Sequence, residues 1–162
     1  MMARWLPETP AGRSAGLTAT FLPVEQHPDP GRFDGVVFGS AVYAGRWLES
    51  ARHWVTTSAA ALRKRPVWLF SSGPIGAPPF PPDEPYDLTA LLPLVGARGH
   101  SLFPGRLHER LLTFEERAMA TAMRAPFGDF RDWDAVHAWS AEIAHHLVDL
   151  TSTSGSAPSG TR

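Results

Sequence analysis

A chain of 162 residues that is 43% hydrophobic has room for one domain with a real core, which excludes a disordered or collagen-like polymer. Its 15 Lys and Arg balance 16 Asp and Glu, a formal charge of -1, and that argues against a protein built to grip nucleic acid. With no cysteine there are no disulfides, no thiolate nucleophile, no Cys-ligated zinc and no iron–sulfur cluster.

In chain order, Thr18–Val24 (TATFLPV) is partly β-branched and reads as a strand broken near its end by Pro23. His27-Pro-Asp-Pro-Gly31 is a turn by composition. Phe33–Gly39 is a compact apolar run of the kind found in parallel sheets covered on both faces. From Arg46 to Leu62 the period changes: Trp47, Ala51, Trp54, Val55, Ser58 and Leu62 fall on one helical face, with Arg52, Thr56 and Arg63 opposite. Pro66 ends that helix, and Val67–Phe70 is a second buried strand. This strand–helix–strand unit has the length of a right-handed parallel crossover.

The proline-crowded stretch 74–87 reads as a stiff loop. Leu88–Val95 follows as a short helix and His100–Phe103 as a strand. Thr113 and Glu116 fit a capping box, so a helix is expected to start there and run past Met119 to Met123. A last helix is expected from Asp132 to Leu150, burying Trp133, Val136, Ser140, Ile143 and Leu147. Residues 1–150 are thus the domain, and 151–162, nearly devoid of apolar residues, are expected to be a disordered tail. The fold class implied by the alternation is α/β, an open parallel sheet with helices on both faces.

In such sheets ligands bind beyond the carboxyl ends of the strands. That singles out Ser40–Arg46, Ser71–Gly76 and Pro104–Leu107, the first two rich in Gly and Ser. Small residues there let backbone amides approach a flat ligand, and Tyr43 or Trp47 has the shape to flank its ring. Other candidates have blander readings. Adjacent His145 and His146 point in different directions on a helix, so no metal site is expected there. Asp129, Asp132 and Asp134 read as helix capping, and Ser71-Ser72 lacks the frame of a hydrolase nucleophile. Trp54, Trp68, Trp133 and Trp139 read as core or half-buried packing.

Three segments carry a resemblance. Asp34–Trp47 (DGVVFGSAVYAGRW) resembles the flavin-contacting segment of flavodoxin-like domains. Pro66–Gly76 and Ser101–Leu107, followed by a helical insertion and Gly128–Asp134, are similar in order and spacing to the bacterial branch of menaquinone-dependent protoporphyrinogen IX dehydrogenases. The resemblance implies FMN held noncovalently, with Ser40, Ala41, Val42, Tyr43 and Gly45 on one side of the ring and Ser72, Gly73, Pro74, Ile75 and Gly76 on the other. It implies a flavoprotein oxidoreductase or electron-transfer protein passing electrons to a quinone or another acceptor, with protoporphyrinogen oxidation in heme biosynthesis as the activity of that branch, in the cytoplasm or peripheral to the inner face of the membrane. No catalytic acid or base is implied, and neither a metal nor a nucleic-acid partner.

Flavodoxin-like domains open on a strand and a Ser/Thr- and Gly-rich loop that cradles the FMN phosphate. Met1–Leu6 resembles the middle of the helix after that loop, so the first strand and phosphate loop are expected to be missing from the sequence. The main alternative is therefore a flavodoxin-fold interaction domain that binds no flavin. A response-regulator-like module shares the topology, but Gly39-Ser40 stands where it would need a phosphorylatable Asp.

No apolar run approaches the ~20 residues that cross a bilayer, and the first ten residues hold no stretch of signal-peptide length, so neither a transmembrane segment nor secretion is expected.

Overall fold

The computed structural model describes residues 16–43, 45–73, 75, 87–122 and 124–154. Contacts divide the chain into two compact units, Pro23–Trp133 and a second formed by the two chain ends. The first unit holds a four-stranded sheet of β1 (Val36–Tyr43), β2 (Arg46–Trp47), β3 (Val67–Ser72) and β4 (Gly99–Phe103), in the order β2-β1-β3-β4. β1, β3 and β4 are parallel, and β2 folds back antiparallel on the end of β1. Between strands come helices α1 (Glu49–Leu62) and α2 (Leu88–Val95). After β4, β5 (Arg106–Leu107) and β6 (Gly128–Asp129) form a small antiparallel ribbon, and α3 (Phe114–Ala122) lies in the excursion between them.

The core follows from side-chain alternation along the strands. Val36 pairs with Val67 and Phe38 with Leu69, so these four share one face of the sheet. Trp47, Ala51, Trp54, Val55 and Leu62 from the β2–α1 segment, with Leu88, Leu91 and Val95 of α2, close a continuous apolar cluster with them. Phe38 stacks on Trp54 at a centroid separation of 4.6 Å. The opposite face carries Val37, Gly39, Trp68 and Phe70. Gly39 is required there, because a Cβ would fall 2.4 Å from the Phe70 ring. β3 is buried from Val67 through Ser71, whereas β1 is half-buried over Val36–Gly39.

α2 begins and ends where its apolar pattern predicts, and Gly96, at φ 64°, stops it in the left-handed conformation. Its Pro93 is accommodated in the last turn. The Thr113–Glu116 capping box is present in both directions: Glu116 N–H donates to Thr113 Oγ1 at 3.2 Å, and Thr113 N–H donates to Glu116 Oε2 at 2.8 Å. α4 (Trp133–Ser154), nearly all of it in the second unit, buries Val136, Ser140, Ile143 and Ala144 along one stripe and continues past Leu150.

Several expectations are corrected. Residues 17–23 form no strand, and Val24–Gln26 is a 3-10 turn. β-branched composition alone does not make a strand; it needs a ladder of neighbours, and Pro23 lacks a donor to offer one. The helix expected from Arg46 starts at Glu49, because Arg46 and Trp47 pair with Tyr43 and Val42 as β2. Trp133 is 40% exposed rather than packed inside, with the Arg131 guanidinium 5.0 Å over its ring. Asp129 caps no helix; it lies in β6 and pairs with Arg131. Met1–Leu6, the proline-rich loop apart from Ile75 and Asp87, Met123 and residues 155–162 lie outside the described residues.

Candidate functional site

The carboxyl ends of β1, β3 and β4 converge, and glycine makes the convergence close. Ala41 is the register partner of Ser72, the last residue of β3, so β1 runs two residues beyond the end of β3. Gly73 follows at once, and a Cβ there would meet Val42 Cβ at 2.6 Å. Beyond β4, a Cβ on Gly105 would lie 3.6 Å from the Gly73 backbone. Gly73 N–H donates to Phe103 carbonyl oxygen at 3.3 Å, which ties the two chain segments together. The result is a rim of main chain and small side chains, Ala41, Gly73 and Gly105, with the Val42 side chain packed against Gly73.

Ser40–Tyr43 belong to β1 itself and not to a loop after it, a second correction to the sequence reading. Val42 and Tyr43 are good strand residues, and Gly45, at φ 74°, lets the chain turn tightly into β2. Ser40 is buried, its hydroxyl accepting Leu48 N–H at 3.1 Å and donating to Ala41 carbonyl oxygen at 2.8 Å. It can therefore offer a ligand little besides its main chain. Ala41 and Tyr43 are exposed, Val42 and Gly45 half-buried. Ser72 and Gly73 are half-buried and Ile75 is buried. Pro74 and Gly76 lie outside the described residues.

Two aromatics of the same hairpin have opposite fates. Trp47 is 2% exposed, and its indole N–H donates to Ser71 Oγ at 2.7 Å. Ser71 is wholly buried and also hydrogen-bonds the half-buried His100 at Nε2, 2.9 Å away, so a polar chain links β2, β3 and β4. Trp47 is thus a core residue and does not flank a ligand. Its backbone N–H donates to Asp87 Oδ2 at 2.9 Å, while Arg46 and Arg52 approach the same carboxylate at 4.0 and 3.9 Å.

Tyr43, by contrast, is 48% exposed. Its hydroxyl donates to Glu116 Oε1 at 3.2 Å, although the two residues stand 73 positions apart. Partial burial, then the neighbouring Glu116 carboxylate, raises the Tyr43 phenol above its ordinary value. The Glu116 carboxyl is held below its ordinary value, chiefly by the Thr113 backbone N–H. The sequence marks Glu116 as a helix cap; that its second oxygen reaches the strand end depends on where the β5–β6 ribbon roots the insertion, which local pattern does not reveal.

A flavodoxin domain model matches residues 4–133, most of the chain. The chain belongs to the flavodoxin domain family. The parallel sheet with its α/β layering agrees with that membership. Comparison with curated proteins finds no matching relative. The residues present suit the flat ring of a flavin: a rim of main chain at two strand ends, small side chains, and one exposed aromatic beside them. Among the described residues, no helix is long and apolar enough to cross a membrane, and none of their carboxylates and imidazoles cluster as a metal site.

Proposed function

We propose that this flavodoxin domain binds FMN noncovalently across the carboxyl ends of β1 and β3 and works as an oxidoreductase or electron carrier. The family supports flavin-linked electron transfer in general. The observation that carries the narrower reading is the exposed Tyr43 ring beside the Ala41–Gly73 rim. When bound, the flavin supplies the redox chemistry. The chain's own part is to hold the ring: Ala41, Val42 and Gly73 present backbone groups, Tyr43 shields one side, and the Trp47–Ser71–His100 chain ties β2, β3 and β4 together beneath it.

The order of the motifs, from Asp34–Trp47 through Ser101–Leu107 to Gly128–Asp134, favours protoporphyrinogen as donor and a quinone as acceptor, in the cytoplasm or at the inner face of the membrane. A second reading, a flavodoxin-fold interaction domain without flavin, draws on one observation: the Ser40 hydroxyl is already spent inside the protein. Adding FMN to the purified chain separates them. Structured visible absorption that co-elutes with the protein, with quenched flavin fluorescence, supports the first; a colourless protein and free-flavin fluorescence support the second. Oxidation of protoporphyrinogen with menadione as acceptor then tests the donor.

A further inference from the structure

The excursion between β5 and β6 contributes α3, in which no residue is buried, and leaves Leu111, Phe114 and Met119 well exposed. A segment so placed gains little from hydrophobic packing, so its polar attachments decide where it rests. One is the β5–β6 ribbon, where Arg106 pairs with Asp129 and Leu107 with Gly128. Another is the hydrogen bond from Tyr43 to Glu116. The carboxylate is well prepared for it: Oε2 is held by Thr113 N–H, the α3 N-terminus fixes its position, and Oε1 is left facing the Tyr43 hydroxyl.

Tyr43 is otherwise a half-exposed side chain on a two-residue hairpin, free to exchange rotamers. Anchoring its hydroxyl fixes the plane of the ring, and a fixed aromatic wall binds a flat ligand better than one that must be ordered on binding. We propose that Glu116 is a positioning residue of the flavin site: through Tyr43 it sets one wall of the site and makes the α3 insertion part of it. This inference rests on the flavin reading above. Glu116 acts through Tyr43 and carries out no chemistry.

The test is an FMN titration of the full chain and of Y43F, E116A, E116Q and the Y43F/E116A double variant, each first checked for native circular dichroism. The expected result is that Y43F and E116A each weaken FMN binding about 2- to 10-fold, the range for loss of one hydrogen bond. The double variant should be no weaker than either single one, and E116Q, which keeps an acceptor oxygen, should stay within about twofold of the parent. A second readout needs no flavin. Tyr86 is the chain's other tyrosine, so in a Y86F background the phenol absorbance titrates Tyr43 alone, and its midpoint should fall when Glu116 becomes Ala. If the parent binds FMN and E116A binds it equally well, or the two losses simply multiply, the positioning role is wrong. If the parent binds no FMN, the flavin reading fails and takes the inference with it, whereas an unmoved phenol midpoint refutes the Tyr43–Glu116 contact by itself.

Discussion

β1 and β3 are parallel neighbours of similar composition, VVFGSAVY and VWLFSS, yet they lead different lives. β3 lies between β1 and β4 and is buried on both faces. β1 is hydrogen-bonded to β3 along six register pairs, but on its other side β2 covers only Val42 and Tyr43. Its first four residues are correspondingly half-buried. The difference teaches that apolar content sets which segments become strands, while the number of neighbours sets how much each one stabilises. The two ends also differ: β3 closes on Ser71, tied to Trp47 and His100, and the half-buried Ser72, whereas β1 ends in the exposed ring of Tyr43.

Substitutions that test this contrast should rank accordingly. Leu69→Ala, at a fully buried position of β3, is expected to cost about 2–5 kcal/mol in urea unfolding, whereas Val37→Ala in half-buried β1 should cost about 1 kcal/mol. Equal losses would erase the distinction between the strands.

Two glycines sharpen it further. Gly39→Ala forces a methyl against the Phe70 ring and should cost about 1–3 kcal/mol by overpacking. Gly99→Ala in β4 meets Trp68 at an ordinary 3.5 Å and should fall within about 0.5 kcal/mol of the parent.

The aromatics of the hairpin contrast in the same way. Trp47→Phe strips the indole donor from Ser71 and is expected to cost about 1–3 kcal/mol. Tyr43→Phe loses only a solvent-exposed bond and should leave the unfolding midpoint nearly unchanged, its consequence being read in FMN affinity instead.

The smallest effect belongs to the ribbon that roots the insertion. Arg131 hydrogen bonds hold the Asp129 carboxyl at about 2, below its ordinary 3.8. A carboxyl depressed on folding stabilises the native state above its unfolded value, and that contribution fades as the pH drops from about 4 toward 2. Asp129→Asn should therefore flatten this part of the acid limb of stability against pH, while leaving the pH 7–9 region unchanged in shape.

Much of the fold was legible in the sequence because its signals are local. α2 needed only an apolar run ending at Gly96, and the α3 start needed only Thr113 and Glu116. The buried face of α1 followed from periodicity. Thr18–Val24 misled because β-branched residues mark strand propensity but not the presence of a neighbour. Ser40–Tyr43 misled in the other direction: Gly39-Ser40 looked like a strand terminus, while pairing with Arg46 and Trp47 carries the strand onward. Of the site, Ala41, Tyr43, Ser72 and Gly73 were legible as residues near strand ends. The inward turn of Ser40, the burial of Trp47 and the reach of Glu116 were not, since each depends on contacts between distant parts of the chain.

Amide hydrogen exchange of the full chain, with and without saturating FMN, tests the central claim most directly. The account predicts that exchange slows at Ala41–Tyr43 and Ser72–Gly73, with weaker protection around Glu116. No slowing anywhere, or protection confined to the opposite end of the sheet near Phe33–Gly35, would contradict it.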